Sequence, residues 1–268
     1  MVECIRPGTT ATHTRVALFD FDGTLSLIRS GWIDVMVPMM VEILGETKSG
    51  ERDEQLTAVV RQFVGDLTGK QTIYQMIELA SQVERRGGVS QDPLIYKRRY
   101  LDLLWEKIEY RVKALRDGGA SPEDYLIPGS RQLLEALKER GYRLYLASGT
   151  DEAYMKEEAR LLDVTRYFDG GVYGALDDYK SFSKAILIKQ VIENAGYRGE
   201  EFLGFGDGYV EIENVKQVGG VAIGVASDEP DCLKVDDWKR TRLIGVGADY
   251  IVPNYLDQDE LFSMLFPA

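Results

Sequence analysis

Asp20 and Asp22 stand two residues apart where the apolar run RVALFDF gives way to Asp22-Gly23. In an extended strand that spacing sends both carboxylates to the same side. Carboxylates so close repel one another unless a cation or a shared proton intervenes. A DxD alone is a weak signal, but DxDGT directly after a wholly apolar strand is a strong one, because charge placed there is costly without a use. Three other places offer matching chemistry. Ala147-Ser148-Gly149-Thr150 presents a hydroxyl and an amide that suit a phosphate oxygen, although an ordinary turn with a serine cap explains them equally well. Gly206-Asp207-Gly208, with Glu211 beyond it, supplies the oxygen ligands that Mg²⁺ takes, against the plainer reading of a glycine turn with a capping Asp. Lys184 follows Ser183, a good N-cap, and so stands at the wrong end of a helix dipole unless an anion sits between it and the amides. Lys180 competes for that role.

These groups need a rigid platform. Short, continuously apolar runs at Arg15–Phe21, Arg143–Ala147, Phe202–Phe205, Val221–Val225 and Tyr250–Val252 read as strands buried on both faces. Between them lie helix-period segments. One opens at Pro128-Gly129-Ser130, carries Leu133, Leu134 and Leu137, and closes at Gly141; another follows Ser183 with Ile186, Leu187 and Val191. The alternation predicts an α/β fold with a doubly wound parallel sheet. Ligands bind beyond the carboxyl ends of such strands, which is where the aspartates fall. Residues 27–127 differ, with helical signals and no convincing buried strand. Leu101, Leu104, Trp105, Ile108, Val112 and Leu115 share one helical face, and Thr68-Gly69, Gly87-Gly88 and Gly118-Gly119 punctuate the stretch. An inserted all-helical domain at 27–127 is expected, with the α/β core formed by 1–26 and 128–268.

Composition bounds the partners. The chain has 268 residues, 44% hydrophobic and 28% charged, which excludes disordered and low-complexity classes. Its net charge of −12 repels nucleic acid and anionic lipid, so neither a nucleic acid nor a membrane is an expected partner. Cys4 and Cys232 form no disulfide framework or metal-ligand spacing. The first fifteen residues lack an apolar signal segment, and the run Trp32–Leu44 is broken by Asp34, Pro38 and Glu42. A cytoplasmic location is expected, for a monomer or a homodimer.

DFDGT, ASGT, a helix-opening lysine and GDGYVE, in that order, resemble the four motifs of the haloacid dehalogenase superfamily. The spacing from Lys184 to Asp207 is similar to its phosphoserine phosphatase branch, and the helical insert resembles the C1 cap of phosphoglycolate-phosphatase-like members. The resemblance covers the N-terminal strand and everything from about Pro128 onward, and implies a Rossmann-like core. Carried over to matching positions, it implies Asp20 as nucleophile, Asp22 as general acid and base, and Ser148, Gly149 and Lys184 as phosphate-binding groups. It also implies Mg²⁺ bound by Asp20, the Asp22 carbonyl, Asp207 and Glu211. The implied function is a Mg²⁺-dependent phosphatase acting on a small phosphorylated metabolite (a sugar, polyol or organic-acid phosphate) through an aspartyl-phosphate. Asp22 favours a C–O–P ester, because members that break carbon–halogen bonds lack an acid there and phosphonate-cleaving members usually carry a small residue. Two positions depart from the pattern: Glu211 replaces the commoner Asp, and Ser26-Leu27-Ile28 lacks an acid often found there. The alternatives are a phosphomutase or phosphotransferase of the same superfamily, or a catalytically silent phosphometabolite-binding protein.

The cap should close over the crevice and exclude water. Arg29, Lys70 and Gln71 are the substrate-binding candidates, since a cation there could take a second anionic group; a surface arginine and a solvated helix cap are the plainer reading. Lys97-Arg98-Arg99 reads as the polar side of a helix. Trp32, Met36, Met39 and Met40 read as cap core on a helix that begins near the site, and His13 as inert.

Overall fold

The computed structural model describes residues 2–176, 178–181 and 183–267. Met1, Asp177, Phe182 and Ala268 fall within the expected core segments but outside the described residues.

Among the described residues seven strands form one sheet: β1 (Glu3–Cys4), β2 (Val16–Phe19), β3 (Arg143–Asp151), β4 (Gly171–Ala175), β5 (Phe202–Gly206), β6 (Val221–Val225) and β7 (Tyr250–Val252). Their order is β1-β7-β6-β5-β2-β3-β4. All pairings are parallel except β1 with β7, so the sheet is a parallel one with an antiparallel edge. The sequence does not announce either short edge strand. β1 has two residues, and β4 (GVYGA) is half-buried and interrupted by glycines, which weaken a strand signal.

β2 lies in the middle, with Phe19 opposite Leu146 on one side and Phe205 on the other. Its four residues are all buried, which is why its sequence runs apolar without alternating. Successive residues still feed different cores. Ala17 and Phe19 join the layer that holds α5 (Ser130–Glu139), α6 (Glu152–Leu161) and α10 (Gln258–Leu265). Val16 and Leu18 join the layer of α7 (Lys184–Ala195), α8 (Tyr209–Gln217) and α9 (Asp237–Gly245). The Phe19 and Phe205 rings stack at 4.4 Å between centroids, locking the two strands whose ends carry acidic residues.

Between β2 and β3 come four helices: α1 (Ile33–Gly45), α2 (Asp53–Asp66), α3 (Thr72–Arg85) and α4 (Pro93–Arg116). The chain segments entering and leaving this insert pair with each other. Leu27 donates its amide to Tyr125 O at 2.8 Å, and Ile127 donates to Leu25 O at 2.9 Å. α4 starts cleanly because Asp92 accepts from the Leu94 amide at 2.8 Å and Pro93 opens the helix. Its buried face runs through Tyr96, Lys97, Tyr100, Leu104, Ile108, Val112 and Leu115. Leu104, Ile108, Val112 and Leu115 lie on it as expected; Trp105 is 38% exposed and Leu101 half-buried, and Tyr96, Lys97 and Tyr100 extend the face toward the helix start. The reading of Lys97 as part of a solvated polar side is therefore corrected: the helix turns it toward Asp151 of the core, whose carboxylate takes its charge at 2.5 Å.

Candidate active site

Asp20 continues β2 by one residue: its amide donates to Phe205 O at 2.9 Å, which fixes the backbone. Its carboxylate is 5% exposed. Oδ1 accepts from the Phe21 amide and from Lys184 Nζ, both at 2.8 Å, and among the described residues Oδ2 accepts nothing. Lys184 is the first residue of α7, and Ser183 caps that helix by accepting from the Ile186 amide at 3.1 Å. The Lys184 ammonium also contacts Glu211 Oε1. Lys180 is exposed and lies against the Tyr179 ring instead. Of the two lysines, the structure brings Lys184 to Asp20.

Asp22 is turned toward the end of β3. Its Oδ2 accepts from Thr150 Oγ1 at 2.8 Å and Ser148 Oγ at 3.2 Å, and Ser148 Oγ in turn accepts from the Thr150 amide at 3.0 Å. Oδ1 is buried with no hydrogen-bond partner. Withdrawal from water pushes the Asp22 carboxyl up to about 7; Arg29 opposes the shift, while Glu158 and Asp20 add to it. Such a carboxyl can hold a proton near neutral pH.

Asp207 lies at the end of β5, its amide donating to Thr24 Oγ1 at 2.9 Å. Burial pushes its carboxyl up to about 6, against the pull of Lys239 and with the repulsion of Asp20 and Glu229. Lys239 Nζ is 3.1 Å from Asp207 Oδ2 and 2.6 Å from Glu229 Oε1. Glu211 is 1% exposed, and its Oε2 is buried without a partner. Sequence reasoning missed Lys239 and Glu229. A signal existed: Asp236 caps α9 by accepting from the Lys239 amide at 2.8 Å, so Lys239 sits in the first turn of a helix, where a cation needs an anionic partner. That same anomaly singled out Lys184.

The insert closes this floor. The stretch 67–71 lies between α2 and α3 and presses on the β3 motif. A side chain at Gly149 would place its Cβ 2.7 Å from Lys70 O, so only glycine permits the approach. A Cβ at Gly69, at φ +90°, would stand 3.1 Å from Glu211 Oε2 and 3.2 Å from Val210 Cβ. Trp32 and Met36 line the resulting cavity beside Tyr100, and Met36 also packs in the core with Met39 and Met40. The stripe packs as core, and its first two members also reach the cavity because α1 starts at its wall. The cavity measures about 90 Å³ and reaches Asp20, Asp22 and Ser148.

The substrate-binding candidates fare unequally. Arg29 is 8% exposed and lines the cavity, but its Nε and Nη2 donate to Glu158 at 3.1 and 2.7 Å. It is therefore not the exposed arginine of the plainer reading, nor is its charge unneutralised. Lys70 is exposed, and its main chain is what approaches the floor. Gln71 is buried and gives its amide to Tyr179 O at 2.9 Å, tying the insert to the segment before α7. His13 is exposed, Cys4 is exposed and Cys232 is buried, neither cysteine in a disulfide.

Among the described residues no three His, Cys, Asp or Glu side chains stand close enough together to form a metal cage. The donor chemistry nevertheless suits a hard divalent cation. Asp20 and Asp207, at the ends of neighbouring strands, and Glu211, in the first turn of α8, are all oxygen donors, and among the described residues Glu211 Oε2 lacks a hydrogen-bond partner. No helix among the described residues is long and apolar enough to cross a membrane.

Comparison with known proteins adds the following. A family model described as haloacid dehalogenase-like hydrolase matches residues 14–219. A phosphoglycolate phosphatase of Staphylothermus marinus is 23% identical over 266 residues, covering 91% of this chain and 98% of that protein. A 5'-nucleotidase of Pseudomonas aeruginosa is 30% identical over 121 residues, 45% of this chain; the match spans only 54% of that protein's length. Among solved structures, a haloacid dehalogenase-like hydrolase of Streptococcus pneumoniae superposes with a TM-score of 0.58 at 20% identity, covering 94% of this chain and 99% of that one. At that identity the likeness concerns the fold.

Proposed function

The chain belongs to the haloacid dehalogenase-like hydrolases, and from that premise we propose that it is a Mg²⁺-dependent phosphatase acting on a small phosphomonoester. The observation that carries this reading is the Asp20–Lys184 pair, buried at 2.8 Å beside Asp22 at the carboxyl end of the central strand. Lys184 holds Oδ1 and leaves Oδ2 as the attacking atom. In the first step Asp20 Oδ2 bonds to phosphorus, the ester P–O bond breaks, and Asp22 gives its proton to the departing oxygen. In the second, Asp22 takes a proton from water, the water oxygen bonds to phosphorus, and the aspartyl-phosphate bond breaks to release inorganic phosphate. Ser148 Oγ, the Gly149 amide and Lys184 are positioned to hold the phosphoryl oxygens. Thr150 and Ser148 fix the orientation of Asp22 until substrate arrives.

Asp20, the Asp22 carbonyl, Asp207 and Glu211 are the residues that would hold Mg²⁺. Once bound, the ion supplies charge neutralisation between an anionic nucleophile and an anionic ester. Residues 27–127 act in this reading as a cap over a core of 1–26 and 128–268, and the small cavity under the 67–71 stretch favours a soluble metabolite over a phosphoprotein. A phosphorylated-metabolite panel with p-nitrophenyl phosphate tests the reading. Phosphate release should require Mg²⁺ and stop with EDTA. No release from any ester by the metal-supplied enzyme would overturn it.

A further inference from the structure

The cavity lining mixes polar and apolar groups. Asp20, Ser148 and Lys184 would surround the phosphate, which leaves Trp32, Met36 and Tyr100 to line the leaving-group end. Among the described residues the cations that line it are Arg29, Lys70 and Lys184. Lys184 serves Asp20, and the Lys70 side chain is exposed. Arg29 is thus the buried cation left for a leaving group, and its charge is already matched. Glu158, 3% exposed on α6, takes two guanidinium donors at 3.1 and 2.7 Å, and Asp22 Oδ1 lies 3.9 Å from Arg29 Nε. The neighbouring acid, Asp151, is matched separately by Lys97 at 2.5 Å. The cavity lining therefore carries four acids, Asp20, Asp22, Asp151 and Asp207, against three cations, Arg29, Lys70 and Lys184, with Glu158 bonded to Arg29 and Lys97 to Asp151. A carboxylate on the leaving group would enter a space already in acid excess, where the buried Arg29 is held by Glu158 and the exposed Lys70 offers only a solvent-screened charge, which is unfavourable. A hydroxyl would need only hydrogen bonds. Size points the same way: at roughly 10–15 Å³ per water position, a cavity of about 90 Å³ takes a leaving group of a few carbons.

We propose that Glu158, by occupying Arg29, makes the leaving-group end selective for uncharged alcohols, so that the substrate is a small polyol or sugar phosphate and not the phosphate of a hydroxy acid. The proposal rests on the phosphatase reading above and narrows its substrate class. Glu158 acts here as a positioning residue, through Arg29.

Matched esters differing only in CH₂OH against COO⁻ provide the test: glycerol 3-phosphate with 3-phosphoglycerate, and 2-hydroxyethyl phosphate with phosphoglycolate. The ratio of kcat/KM within each pair should favour the alcohol by about tenfold or more, the burden of an unpaired buried charge. Equal rates, or preference for the acids, would overturn the proposal. So would turnover of p-nitrophenyl phosphate with no preference for either alcohol. Absence of turnover even of p-nitrophenyl phosphate would instead sink the phosphatase reading itself. Glu158→Gln keeps a hydrogen-bonding partner for Arg29 but releases its charge, so the alcohol-to-acid ratio should fall at least about tenfold, chiefly through a lower KM for the acids. A folded variant whose ratio is unchanged would contradict the proposal. If the variant does not fold, the wild-type ratios decide alone.

Discussion

The floor of the cavity and its roof are both lined by buried charge, but they are organised in opposite ways. On the floor, acids outnumber cations: Asp20 and Glu211 share Lys184, while Asp207 and Glu229 share Lys239. At the roof, charges meet as pairs that tie insert to core, Lys97 to Asp151 and Arg29 to Glu158. A surplus of acid is a store of unfavourable energy that a bound cation can relieve. Paired charges have no such appetite, and serve to hold position. The floor is thus built to bind and react, and the roof to fit.

This contrast can be broken at graded strength. Asp20→Asn removes the attacking oxygen while preserving shape, so turnover should fall by on the order of 10⁴-fold or more, with the thermal midpoint almost unchanged. Steady-state phosphate release and a melting curve check both halves. Residual activity within tenfold of wild type would move the chemistry elsewhere.

Gly149→Ala tests how the roof rests on the floor. The new methyl would stand 2.7 Å from Lys70 O, which is backbone and cannot swing aside. The 67–71 stretch must lift, and a lifted roof admits water; kcat/KM should drop about 10–100-fold. Intact kinetics in this variant would show that closure over Gly149 is dispensable.

Lys97→Met should cost stability more than catalysis. A fully buried pair broken on one side costs ~3–5 kcal/mol. Asp151 retains 23% side-chain exposure, so about 1–2 kcal/mol is expected here. Denaturant unfolding of the single and double variants with Asp151→Leu would isolate the coupling. A coupling near zero would mean that the roof is held by apolar packing alone.

The same contrast explains what the sequence could disclose. Floor residues follow strand ends, and the parallel register of β2, β3 and β5 carries Asp20, Ser148 and Asp207 to one edge whatever lies between them. Apolar runs bounded by glycine made those ends legible. Roof residues reach the site from helix faces, and a helix face is known only once its rotation is known. Lys97 looks like a solvated charge because the expected α4 stripe begins at Leu101, whereas the buried face continues one turn further back through Tyr100, Lys97 and Tyr96. Arg29 was noticed, but not its partner, since nothing in the sequence links position 29 to position 158. Tyr255, whose hydroxyl donates to Thr24 O at 2.9 Å beneath the first motif, was hidden for the same reason.

The central claim is that Asp20 carries the phosphoryl group between two half-reactions. The most direct measurement is acid quenching of the Mg²⁺-supplied enzyme during turnover of a radiolabelled phosphomonoester, followed by peptide mapping. Label that is released by hydroxylamine, lies on the peptide containing Asp20 and is absent from Asp20→Asn is the predicted result. Steady turnover with no label on that peptide at any quench time, or with stable label on another residue, would contradict it.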